Sequence, residues 1–175
     1  RDQALEALTR ARPSPLLDRG IGRLRAELLE QLGRPGEAAQ EWQRLLGDPE
    51  ERYLAEEALG RLALAQGDPA AARRHLVKAL EENPDDGRAK GILAAVLASQ
   101  GETAKAIVLS REAVRAAPED VPTRLRLIAL LMAAHQPRAE ADVANIAEVA
   151  EEGLAYNPGN LDLLRAMRRV GRRVF

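Results

Sequence analysis

One interval dominates this sequence. Gly33, Gly67 and Gly101 stand 34 residues apart, and each lies where one Ala/Leu-rich run ends and the next begins. Glycine suits such a place because it enters the left-handed backbone conformation that closes a helix without steric strain. The same step relates Ala4, Ala38, Ala72 and Ala106; Leu8, Trp42, Leu76 and Ser110; and Ala11, Leu45, Ala79 and Ala113. Pro84 and Pro118 share it as well, each after a run that a ring without an N–H would stop. A fixed period of this length means one structural unit used repeatedly and stacked on its neighbours, which specifies a solenoid.

The repeated unit reads as helical. Ala, Leu, Arg and Glu dominate, aromatic residues are 2 % of the chain, and β-branched runs with alternating polarity are missing, so no sheet is expected. Small residues at Gly60, Ala72, Ala79, Ala106 and Ala113 let two helices approach closely, while Leu59, Leu76, Leu93 and Leu97 fill the seam between them. Ser14-Pro15, Asp48-Pro49 and Asp68-Pro69 each place a capping oxygen before a proline, so helices are expected to begin there. The spacing predicts helices near 2–12, 16–32, 35–47, 50–66, 69–82, 86–100, 103–116, 121–134, 138–156 and 160–174.

These residues resemble the tetratricopeptide repeat family, whose pattern runs W-x2-L-G-x2-Y, then A-x3-F, then P over 34 residues. One repeat matches at Leu59-Gly60, Ala72-x3-Leu76, Ala79 and Pro84, and the next at Leu93-Ala94, Ala106-x3-Ser110, Ala113 and Pro118. The resemblance covers nearly the whole chain in an Ala/Leu-rich form, with Trp42 the one large aromatic at its expected place. It implies an all-α fold, a right-handed α-solenoid of antiparallel helix pairs. About four full repeats, a leading half-repeat and a closing helix would make residues 1–175 a single solenoid domain. The chain opens at Arg1, without an initiator Met and already inside a helical pattern, so it reads as a fragment of a longer one.

The period breaks once. Pro118 and Pro158 are 40 residues apart, which places an insertion at the turn His135-Gln136-Pro137-Arg138 and the helix start after it, about 135–145. It reads either as a longer turn and helix or as a feature that touches a partner.

Chemistry has little to work with. The chain has no cysteine, which removes disulfides, thiolate nucleophiles and Cys-based metal sites, and leaves cytoplasm and periplasm equally compatible. His75 and His135 are the only histidines, and neither has a nucleophile or a second metal ligand at useful spacing. Glu56-Glu57 and Glu151-Glu152 read as solvated helix faces, and the isolated glycines form no phosphate loop. The expectation is no enzyme, no catalytic residue, no cofactor and no metal. With 26 Lys+Arg against 27 Asp+Glu, nothing global draws the chain to nucleic acid or membrane. Its longest apolar stretch, 125–134, is interrupted by Arg126 and far shorter than the roughly 18 to 20 residues that cross a bilayer.

Recognition has more. By position, the resemblance implies a concave groove lined by Arg23, Glu27 and Glu30; by Leu54, Glu57, Arg61 and Leu64; by Arg88, Gly91, Ala95 and Ala98; and by Leu125, Ala129 and Met132. Its amino-terminal part is of mixed charge and its carboxy-terminal part small and apolar. The Lys/Asn arrangement with which some members clamp a terminal carboxylate is absent at these positions. The helix carrying Leu125, Leu127, Ile128, Leu130, Leu131 and Met132 is apolar nearly all round, so its extra side must be covered by the insertion and last helix or by a partner. The closing segment can place Leu161, Leu164, Met167 or Val170, and Val174 on one stripe. Arg165, Arg168, Arg169, Arg172 and Arg173 crowd the rest as a basic tail, which is either a solvating end cap or a patch for an acidic partner. The resulting expectation is a protein-protein interaction module, a scaffold, adaptor or assembly factor that binds a peptide or helix of another protein. The alternatives are the accessory region of a larger enzyme or a permanent structural subunit of a complex. Nucleic acid is not expected, since base stacking wants aromatics.

Overall fold

A computed structural model describes residues 15–135 and 140–171, so the expected helix at 2–12 lies outside the described residues. Among the described residues there are nine α-helices and no strand. They are α1 (Pro15–Gln31), α2 (Pro35–Leu45), α3 (Arg52–Ala65), α4 (Pro69–Glu82), α5 (Gly87–Ser99), α6 (Thr103–Ala116), α7 (Val121–His135), α8 (Glu140–Tyr156) and α9 (Leu161–Gly171). The chain divides into two compact units, Arg1–Pro84 and Asp85–Phe175.

The three glycines at the 34-residue interval do one job three times. Gly33, Gly67 and Gly101 have φ of 70°, 80° and 81°, a region where a side chain would be strained. Each reverses the chain after a first helix. Arg34, Asp68 and Glu102 then donate backbone N–H groups to Leu29, Ala63 and Leu97, at 2.9 Å in all three. That six-to-one bond satisfies a carbonyl the ending helix would otherwise leave open. Helices joined by such a short reversal must run antiparallel, which makes the pairs α1–α2, α3–α4 and α5–α6.

Helix starts follow a second rule that only partly matches the sequence reading. Asp68 Oδ1 accepts from the Ala71 N–H at 2.8 Å, and α4 begins at Pro69 as expected. α1 begins at Pro15, while Ser14 lies outside the described residues. Asp48-Pro49 does not start a helix. Asp48 Oδ1 takes the Glu50 N–H and its carbonyl takes the Glu51 N–H, so a turn intervenes and α3 starts at Arg52. The other caps stand two residues after a proline: Asp86 after Pro84, Asp120 after Pro118 and Asn160 after Pro158. Each accepts a backbone N–H of the first turn, from Ala89, Thr123 and Leu163 respectively.

In the amino-terminal unit the core is Ala26, Leu29, Ala38, Trp42 and Leu45 joined to Ala55, Ala58, Leu59 and Leu62. The α3–α4 seam is as tight as the small residues imply. A β-carbon added at Gly60 would fall 2.6 Å from Leu76 Cγ, and Leu76, Ala72 and Ala79 are fully buried. In the carboxy-terminal unit Ala89, Leu93, Leu97, Ala106 and Ala113 are buried in α5 and α6. A second cluster gathers Val114, Leu127, Ile128, Leu131, Ile146, Val149, Ala150, Leu163 and Val170 from α6 to α9. The apolar helix α7 is therefore covered within its own unit, by α5, α6, α8 and α9, with Leu125 and Met132 half-buried against the same cluster.

The six extra residues of the long repeat go mostly into helix. α7 has 15 residues and α8 has 17, against 13 and 14 in α5 and α6. Residues 136–139, at the centre of the expected insertion, lie outside the described residues.

Candidate functional site

The expected groove residues sit on the first helices of the pairs. In the amino-terminal unit the charged ones Arg23, Glu27, Glu30 and Arg61 are already engaged by neighbouring side chains. Glu30 on α1 accepts from Trp42 Nε1 of α2 at 2.8 Å and from Arg61 of α3, so one carboxylate ties three helices. Arg23 lies 3.8 Å from Glu27 and 3.6 Å from Glu51. Glu57 is only 6 % exposed and offers little to a groove, whereas Leu54 and Leu64 are half-buried.

Its neighbour Glu56 corrects the sequence reading as well. Glu56 is buried, not solvated. His75 Nδ1 lies 2.6 Å from its carboxylate and Lys78 Nζ 3.5 Å, both from α4. That contact gives His75 a structural role in bridging α3 and α4.

In the carboxy-terminal unit the expected groove residues other than Arg88 are small or apolar. Gly91 of α5 packs under α7, where an added β-carbon would meet Thr123 Oγ1 at 2.7 Å and an Arg126 nitrogen at 3.2 Å. Ala95 is half-buried and Ala129, one period later, is exposed; Leu125 and Met132 are half-buried, and Arg88 is exposed. Arg126 was missed from sequence. Its guanidinium is partly desolvated, which lowers its pKa, and the Asp120 carboxylate pulls the other way.

Sequence reasoning also missed Arg124, the largest fully buried side chain among the described residues at 2 % exposed. Its guanidinium donates to the Val149 carbonyl at 2.9 Å, the Pro118 carbonyl at 2.9 Å and Glu152 at 3.2 Å. Its stem crosses the bare backbone of Gly153, where an added β-carbon would overlap Cδ and fall 2.9 Å from Nε. A cleft of about 520 Å³ between α6 and α8 opens over it, lined by Arg115, Pro118, Glu152 and Tyr156. Because Arg124 spends its hydrogen bonds on the protein itself, it acts as a clamp.

Of the stripe expected on the closing helix, Met167 and Val170 face the protein, but Leu161 and Leu164 do not. Leu163 and Val170 are buried and Ala166 and Met167 half-buried, an i, i+3, i+4, i+7 face that packs on α8. Leu161 and Leu164 point to solvent. Arg165, Arg168 and Arg169 are exposed, while Arg172, Arg173 and Val174 lie outside the described residues.

Among the described residues, no group of three His, Asp or Glu side chains is arranged to hold a metal ion, and no helix is long and apolar enough to cross a membrane. Within each unit the arrangement is one of helical repeats, in which paired helices display side chains from their first members. Known proteins place it further. A profile of the tetratricopeptide repeat family matches residues 57–121. A search of curated proteins finds no match. Among solved structures, the Cut9–Hcn1 hetero-tetramer of the APC/C aligns with 97 % of this chain and 33 % of its own, at TM-score 0.74 and 17 % identity. A double mutant of MamA aligns with 89 % of this chain and 84 % of its own (TM-score 0.67, 17 % identity). The first TPR of Spaghetti (RPAP3), bound to an HSP90 peptide, aligns with 71 % and 96 % (TM-score 0.61, 16 % identity). Residues 57–121 thus match the tetratricopeptide repeat family, and the described chain shares the fold of these solved structures.

Proposed function

We propose that this chain is a protein-interaction module whose seat for a partner peptide or helix is the first-helix face of the carboxy-terminal unit. One observation carries the choice. There, Ala95, Leu125, Ala129 and Met132 leave a small, apolar and partly open strip, whereas the corresponding cations of the amino-terminal unit are held by its own carboxylates. An apolar strip favours a segment that brings aliphatic side chains, and Arg126, half-buried beside Gly91, favours one that also carries a carboxylate. The RPAP3 relative, which holds a peptide, supports the general mode without naming the partner here.

Ala129→Glu tests this seat. Ala129 is exposed, so the variant should keep the helical signal and melting temperature of the wild type. In a crosslinking pulldown from the native source, it should lose the partner that the wild type retains. Equal capture by both proteins would overturn the proposed seat.

A further inference from the structure

The face of α9 that turns away from α8 has a counterpart in each earlier pair. Glu56, Lys90 and Arg124 are 34 residues apart, and Leu164 follows after the long repeat of 40. The first three all reach the second helix of their own pair. Glu56 meets His75 and Lys78 of α4, Lys90 lies 3.7 Å from Glu112 of α6, and Arg124 lies 3.2 Å from Glu152 of α8. The position four residues on behaves alike: Gly60, Ala94 and Ile128 are buried. Its fourth instance, Arg168, is exposed, and so are Leu164 at 44 % and Leu161 at 64 %. α9 is therefore a first helix whose second-helix side is covered by nothing among the described residues.

We propose that this open side of α9 takes an acidic amphipathic helix of a partner protein, laid where a second helix lies in the other pairs. Leu161 and Leu164, three residues apart, present adjoining aliphatic surface for the apolar stripe of such a helix. One turn further on, Arg168 has no ion-pair partner among the described residues and asks for a carboxylate on the occupant. A long cationic side chain at the place of Gly60 and Ala94 also keeps the occupant farther off than an ordinary repeat helix, which favours Glu on its flank over a close Ala seam. An anionic lipid surface fits less well, because the exposed carboxylate of Asp162 follows Leu161 directly on the same helix. This surface does not rest on the seat proposed at Ala129.

The test uses the whole chain and a fluorescent synthetic helix matched to the 14 residues of α4 and α6, with Ala and Leu on one stripe and Glu beside it. A second peptide carries Lys in place of Glu, and vesicles of phosphatidylglycerol serve as the lipid probe. The acidic peptide should bind saturably and the lysine peptide should not. The double variant Leu161→Asp/Leu164→Asp should weaken binding about tenfold or more, since central aliphatic contacts dominate such interfaces. Arg168→Glu should weaken it by roughly three- to tenfold and shift preference to the lysine peptide. All three residues are exposed, so circular dichroism should report unchanged helix. No binding, equal binding of the two peptides, binding unaffected by the variants, or binding to vesicles in place of the peptide would each overturn the proposal. Ala129→Glu should leave peptide binding here untouched, which separates failure of this surface from failure of the other.

Discussion

Two helix pairs, one in each unit, solve the same packing problem with opposite assignments. In α3–α4 the first helix supplies the gap, Gly60, and the second supplies the filler, Leu76, which is 0 % exposed. In α7–α8 the second helix supplies the gap, Gly153, and the first supplies the filler, Arg124. What the fold requires is a bare backbone opposite a long side chain, not a particular residue on a particular helix. The chemical content differs sharply. Leucine fills its gap by dispersion and exclusion of water, and any well-shaped apolar group would serve. Arginine fills its gap only because three oxygens receive its charge, so the second solution is tied to a hydrogen-bond geometry.

The largest effect expected from breaking this comparison is at the leucine. Leu76→Ala should lower stability by about 2–5 kcal/mol, read from denaturant midpoints, because the seam opposite Gly60 cannot collapse around the loss. Gly60→Ala should cost about 1–3 kcal/mol in the wild type through overpacking. In the Leu76→Ala background the added methyl has room, and its helix propensity should make it neutral or stabilising by up to about 1 kcal/mol. Additive effects would mean that Gly60 and Leu76 do not share one seam.

At Arg124 the expected loss is about 2–3 kcal/mol for Arg124→Ala, combining a cavity over Gly153 with a Pro118 carbonyl left without its donor. Arg124→Met keeps most of the volume and should recover roughly half of that. Full recovery by Met would show that the arginine is filler alone and erase its difference from Leu76. Gly153→Ala should be harmful beside Arg124 and much less so beside Arg124→Ala, where only the Leu163 side chain at 3.0 Å still has to give.

The same contrast shows what sequence could and could not reveal. Gly60, Ala72 and Leu76 were legible because a repeat multiplies its signal: small and large residues return every 34 positions, and so do the positive-φ glycines. Arg124 keeps the 34-residue register, but its gap residue Gly153 lies beyond the break at 135–145, and an arginine in a helix reads as surface unless its three acceptors are known. Glu56 was misread for a related reason, since the partners that bury it, His75 and Lys78, lie on another helix. The closing helix was placed correctly, and its stripe was right at Met167 and Val170 but wrong at its first two leucines. Leucines at 161 and 164 match a helical face as well as Leu163 and Val170 do, and only the packing of α8 selects between them. Among the groove residues expected in the amino-terminal unit, sequence did not reveal the ion pairs they make, such as Arg61 with Glu30, because the partners lie on different helices.

Arg34 supplies the exposed counterpart of Arg124 and the smallest expected effect. It grips Glu37 with two hydrogen bonds, at 2.6 and 2.7 Å, on the open first turn of α2. Those hydrogen bonds from Arg34 hold the Glu37 carboxyl below the ordinary carboxylate range; slight desolvation opposes the shift and the charge of Arg34 adds to it. A carboxylate whose pKa is depressed by folding contributes stability above its unfolded value and loses it as pH falls through the folded one. Glu37→Gln should therefore leave a small deficit at neutral pH, measured as a shift in denaturant midpoint, that closes in acid and shrinks with added salt. Most of the loss from Arg124→Met arises from the Val149 and Pro118 carbonyls, which do not titrate, so all but the share of the exposed Glu152 should persist at the same acid pH. A Glu37→Gln deficit equal to the Arg124→Met loss, or one that survives acid, would show that burial adds nothing to what an arginine achieves at the surface.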